Sequence, residues 1–206
     1  MSAAARGLPL QLLLGASLAF GVGLALGFLS SGFYLIGVLP LALGLLTGAA
    51  AGFIAVMTGG PWRAGARVAA LLAILVGWGA FQYGDDVAFQ RAYAADVVRT
   101  RALADELPPD VLQDGDALAF LGKDAEGILD AAVTAEVGRG GFVGRWLFRA
   151  ERGVRLVGPL KGGRGLPVGT PGAIAWAALE IALAGVLAHL VIRRIERAAR
   201  ERSSAS

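Results

Sequence analysis

Cysteine is absent from this chain of 206 residues, histidine occurs once, at His189, and only 17% of the residues are charged. No disulfide framework, thiolate nucleophile or Cys/His zinc site can be built from such a sequence, and one histidine inside an apolar stretch leaves no Ser-His-Asp triad in a water-exposed part. These gaps remove the usual parts of most enzymes, so the expectation is a non-enzymatic protein with no metal and no cofactor. Lysine is also scarce: Lys123 and Lys161 stand against seventeen arginines. With so much alanine and glycine, that imbalance fits the coding bias of a GC-rich bacterial genome. A net charge of +3 without any recognition motif gives no support to nucleic-acid binding.

What the chain has in excess is apolar sequence, 56% by residue with a mean hydropathy of +0.63, which places it in the membrane class. A hydrocarbon core about 30 Å thick takes about 20 helical residues to cross. Four runs qualify: 8–29, 33–58, 66–83 and 171–192. The predicted fold class is therefore an all-α integral membrane protein with four transmembrane helices in a 3+1 arrangement. Residues 1–83 hold the N-terminus and three spans, 84–170 form a small, mostly helical extramembrane insert, and 193–206 are a basic tail. The first run, preceded by Arg6, reads as a span rather than a secretory signal, because it is too long and passes through Ser30 and Ser31 straight into the second.

Both termini then share one side. The short loops on that side carry eight arginines (Arg6, Arg63, Arg67, Arg193, Arg194, Arg197, Arg200 and Arg202), whereas the hairpin turn at 30–32 carries none. The positive-inside rule puts such loops in the cytoplasm. The insert has seven basic residues near its membrane ends (Arg91, Arg99, Arg101, Arg152, Arg155, Lys161 and Arg164), nearly a match. Segments longer than about 60 residues translocate with little regard to charge, so the expected location is the inner membrane with the insert outside the cytoplasm.

Small residues recur every fourth position in the first two spans: Gly15, Ala19, Gly23 and Gly27, then Gly44, Gly48 and Gly52. Positions four apart share a helix face, and bare faces of the GxxxG or glycine-zipper kind let backbones approach in lipid. Ala69, Ala73 and Gly77 extend a small face to the third span, as do Ala173, Ala177 and Ala178 to the fourth. The tight, uncharged hairpin predicts that the first two ladders meet each other in an internal seam.

In the insert, 85–107 reads as a helix that continues the third span and ends at Pro108 and Pro109. Asp114-Gly115-Asp116 reads as a turn, with Asp124 capping a second helix to about Val137. Gly138, Gly140 and Gly141 break that helix, and a third follows over 142–152, stopped by Gly153. Residues 154–157 read as extended and 158–172 as a loop. About 70 ordered residues are near the lower limit for a self-standing core, so the insert is expected to lean on the membrane part or on a partner.

Three features carry candidate function. Glu180, four residues after Trp176, lies near the middle of the last span, where an ionisable group is costly. It reads either as a proton or cation site or as a carboxyl locking the helix to its neighbours, with Gln11, Thr47 or Trp78 as partner. His189, nine positions on, is out of phase with it and suits a headgroup-level or interhelix position. The 142–152 helix segregates Arg145, Arg149 and Arg152 from Phe142, Val143, Trp146, Leu147 and Ala150, which suits either a helix facing lipid or a partner or a solvated basic face over the insert's own core. Asp85 and Asp86 read as a solvated helix start, and Asp114 and Asp116 as part of a turn.

The segment Gly140-Gly141-Phe142-x-Gly144, Arg149-Ala150-x-x-Gly153 and Trp176-x-x-x-Glu180 resembles a group of four-span bacterial membrane proteins with glycine-rich first spans. The resemblance implies architecture and no activity. The leading functional expectation is an accessory or scaffold subunit of a membrane or envelope complex, contacting the lipid bilayer and one or more protein partners. The alternative is a small channel or transporter using Glu180.

Overall fold

The computed structural model describes residues 3–29, 38–58, 62–103, 115–152 and 169–204. Among them every residue outside 138–140 is helical and there is no strand. The helices are α1 (Ala3–Leu29), α2 (Val38–Thr58), α3 (Trp62–Leu103), α4 (Gly115–Val137), α5 (Gly141–Arg152) and α6 (Gly169–Ser204). Four of them, α1, α2, α3 and α6, are long and apolar enough to cross a membrane. Pro40 sits in the first turn of α2 and Pro171 in that of α6, where a missing N–H breaks no intrahelical bond.

Two corrections concern helix limits. α4 starts at Gly115, so Asp124 is internal to it rather than its cap, and Gly115 and Asp116 belong to its first turn. α6 starts at Gly169 and continues to Ser204, so most of the basic tail is helical. Within it Ile192 and Glu196 are buried. α3 runs unbroken past residue 83 for a further 20 residues, because nothing between Gly84 and Leu103 interrupts a helix. The expectations at 104–114 and 153–168, including the stops at Pro108 and Gly153, lie outside the described residues.

The chain divides into two compact units. The first comprises Met1–Gly27, Leu35–Gly84 and Ile174–Ser206. Its core is built from Leu43, Ile74 and Ile192 together with a large set of buried alanines, among them Ala19, Ala69, Ala73, Ala184 and Ala188. Here the two glycine ladders do not face each other. The first packs on α3: a methyl group at Gly15 would lie 3.5 Å from Ala73 Cβ, one at Gly23 would collide with the Gly77 carbonyl, and one at Gly77 would lie 2.8 Å from the Ala19 carbonyl oxygen. The second packs on α6: a Cβ at Gly44 would lie 2.7 Å from the Ala184 oxygen, at Gly48 2.7 Å from Ala188 Cα, and at Gly52 2.8 Å from Ile195 Cδ1. Contact positions climb together along each pair, so α1 is parallel to α3 and α2 to α6. In each pair the parallel helices come from alternate spans. Gly27 is also buried.

The second unit comprises Phe28–Tyr34 and Asp85–Ala173. Its core includes Ala88, Ala125, Leu129, Val133 and Ala150. Gly138 takes φ 71° and its N–H donates to the Thr134 carbonyl at 2.9 Å, the left-handed stop that closes α4. The chain then reverses so tightly that a side chain at Gly144 would strike the Arg139 carbonyl and lie 3.1 Å from Val133 Cγ1. Glycine there lets α5 lie against the end of α4.

Candidate functional site

Asp85 and Asp86 follow the apolar part of α3, and one turn further on the same helix come Phe89 and Gln90. α5 presents Arg145 and Arg149 one turn apart and so on one face, and this face meets the consecutive Asp85 and Asp86. Asp86 is 1% exposed. The Arg145 Nε donates to both of its oxygens, at 3.0 Å to Oδ1 and 3.2 Å to Oδ2, and Nη2 donates to Oδ2 at 2.8 Å. Gln90 Nε2 adds a fourth bond to Asp86 Oδ2 at 2.9 Å. The remaining arm of Arg145, Nη1, donates to Asp130 Oδ1 of α4 at 2.7 Å. Hydrogen bonding to Asp86 first, and then to Asp130, holds the Arg145 guanidinium more firmly charged than usual, against the opposing effect of burial.

Arg149 extends the cluster. Its Nη1 donates to Asp85 Oδ2, its Nη2 lies 3.8 Å from Asp86 Oδ1, and its guanidinium stacks over the Phe89 ring at 5.4 Å. Three carboxylates and two guanidiniums are thus interlocked across α3, α4 and α5. Further out, Arg152 pairs with Glu136 of α4 at 2.8 and 2.5 Å. That bond holds the Glu136 carboxyl below the usual glutamate range. Glu151 accepts from the Thr170 N–H at 3.1 Å and its hydroxyl at 2.9 Å, satisfying a backbone donor in the first turn of α6.

Arg145 and Arg149 are therefore directed at carboxylates of their own chain, which corrects their lipid- or partner-facing reading, while Arg152 pairs with Glu136 and stays 65% exposed. Phe142 and Val143 are the exposed residues of its apolar side, while Trp146 and Leu147 are half-buried. Asp86 is likewise no solvated helix start. Asp85 and Asp86 are consecutive whereas Arg145 and Arg149 are four apart, so no shared spacing in the sequence announced the pairing. Helical periodicity names a face and not what covers it.

In the first unit, Glu180 is 3% exposed. Of its three candidate partners, the structure selects the Trp78 indole, whose Nε1 donates to Oε2 at 3.2 Å. Thr47 turns away, donating its hydroxyl to the Leu43 carbonyl one turn back at 2.6 Å, and the Gln11 side chain lies outside the described residues. Oε1 of Glu180 is buried and has no hydrogen-bond partner among the described residues. Trp176 and His189 are half-buried on the same helix. Among the described residues no group of three or more His, Cys, Asp or Glu is placed to hold a metal ion.

Comparison of the chain with family models, with curated proteins and with solved structures gives no match.

Proposed function

We propose that this chain is a multi-pass protein of a bacterial inner membrane, with both termini in the cytoplasm, and that it serves as a non-enzymatic accessory or scaffold subunit of a membrane or envelope complex. The observation that carries the reading is where its polar chemistry goes. Arg145, Arg149 and Arg152 of the second unit are paired with Asp85, Asp86, Asp130 and Glu136 of the same unit, which ties α3, α4 and α5 together and spends this polar chemistry on structure. Among polar neighbours that unit leaves large apolar side chains exposed: Phe120 at 73% and Ile128 on α4, and Phe142 and Val143 on α5. Apolar side chains left open outside a membrane-spanning segment suit a protein partner. The resemblance of the 140–180 segment to four-span bacterial proteins supports the same architecture. The transporter reading is less well supported, since Thr47 bonds its own helix and the Trp78 indole is the one hydrogen-bond partner of Glu180 among the described residues.

The test is gentle detergent purification of the chain expressed at native level, followed by mass spectrometry. A stoichiometric protein is expected to accompany the wild type and to be lost from Phe120→Glu, with the variant still monodisperse. A wild-type chain that purifies alone would sink the reading.

A further inference from the structure

The surroundings of Glu180 are unbalanced in charge. Among the described residues, the apolar stretches 12–27 of α1 and 38–57 of α2 hold no ionisable group. On α3, the nearest cation is Arg67, eleven residues before Trp78 and so about 16 Å down the helix at 1.5 Å per residue. On α6, His189 is nine residues on, about 13 Å away by the same rise. Among the described residues of this unit, no cation is placed to neutralise a carboxylate at this position. A buried charge without a counter-ion costs far more than the neutral acid with the same hydrogen bond.

The geometry agrees with that balance. A neutral carboxyl has one oxygen that only accepts and one that carries the proton. Oε2 accepts from the Trp78 indole, and Oε1, buried and without a partner, is the oxygen left to carry the hydrogen. The neighbours suit a proton better than a metal cation. Hard cations gather several oxygens, whereas the hydrogen-bond partner of Glu180 among the described residues is an N–H that directs positive charge at it.

We propose that Glu180 is a proton-binding site, its carboxyl held un-ionised at neutral pH by the helix bundle, with the proton on Oε1 and Trp78 fixing the rotamer through Oε2. The site rests on burial and charge balance rather than on the partner reading, so either can fail alone. Infrared spectroscopy of the full chain in an alkyl maltoside detergent, which has no ester carbonyl, tests it, because an un-ionised carboxyl shows a carbonyl stretch above the amide band and a carboxylate does not. At neutral pH the wild type is expected to show such a band, Glu180→Gln to lose it, and Trp78→Phe to move it to higher frequency as the hydrogen bond to Oε2 disappears. The Trp78→Phe shift keeps the assignment secure even if Glu180→Gln does not fold. A wild-type spectrum without the band, or a band unaltered in both variants, would overturn the proposal.

Discussion

At the scale of single residues, the second unit depends on Asp86. Its carboxylate takes three hydrogen bonds from Arg145 and one from Gln90 while almost wholly removed from water. Removing one member of such a pair leaves the other as a buried, uncompensated charge, which costs about 3–5 kcal/mol, whereas replacing both by apolar residues is often neutral. Asp86→Ala is accordingly expected to destabilise the α3–α4–α5 packing by an amount of that order, and Asp86→Leu combined with Arg145→Met to recover most of it. Denaturant titration in detergent, followed by tryptophan fluorescence in a chain whose other three tryptophans are replaced by phenylalanine to leave Trp146, measures both. Equal stability of Asp86→Ala and wild type would show that the cluster contributes nothing. The sequence offered these residues as two unrelated features, an acidic pair at a helix start and a basic helix 59 positions away, because Coulomb pairing across that separation requires the chain to have turned back on itself.

For the helices, the four-residue spacing of glycine identified which faces are bare, and the structure decided what fills them. The ladders of α1 and α2 are covered by α3 and α6, their parallel neighbours, and do not form a hairpin seam. The two ladders also differ in tightness. A Cβ at Gly48 would stand 2.7 Å from the backbone Cα of Ala188, which cannot give without moving a helix, but one at Gly15 would make an ordinary contact of 3.5 Å with Ala73. Gly48→Ala is therefore expected to cost about 1–3 kcal/mol through overpacking, and Gly15→Ala to be neutral or stabilising by up to about 1 kcal/mol through helix propensity. Thermal unfolding of the two variants in one detergent, read by size-exclusion recovery, separates them. A Gly48→Ala variant as stable as Gly15→Ala would mean that α2 and α6 are not in tight contact.

For the whole molecule, orientation is the property that charge counting leaves nearly tied. The absence of cysteine makes it directly measurable. Ala131→Cys on α4 and Arg197→Cys near the end of α6 are separated by one apolar stretch and are both exposed. With a membrane-impermeant maleimide on cells with a permeabilised outer envelope, Cys at 131 is expected to react at once and Cys at 197 only after lysis. The reverse pattern would invert the topology, and reaction of both from one side would show that α6 does not cross between them.

Composition and run length by themselves determined four helices able to span a membrane, since the thickness of hydrocarbon sets a length that four stretches meet and no others do. They also determined that α3 would run on past Tyr83, because the stretch from Gly84 to Leu103 keeps helical periodicity without a breaker. Only the tertiary structure decided which helix covers each glycine ladder, that Trp78 rather than Thr47 reaches Glu180, and that Arg145 is bound to Asp86 instead of facing outward. The reason is physical: periodicity is a property of neighbouring residues and is written along the chain, while a contact is a property of two segments whose separation in sequence says nothing of their distance in space.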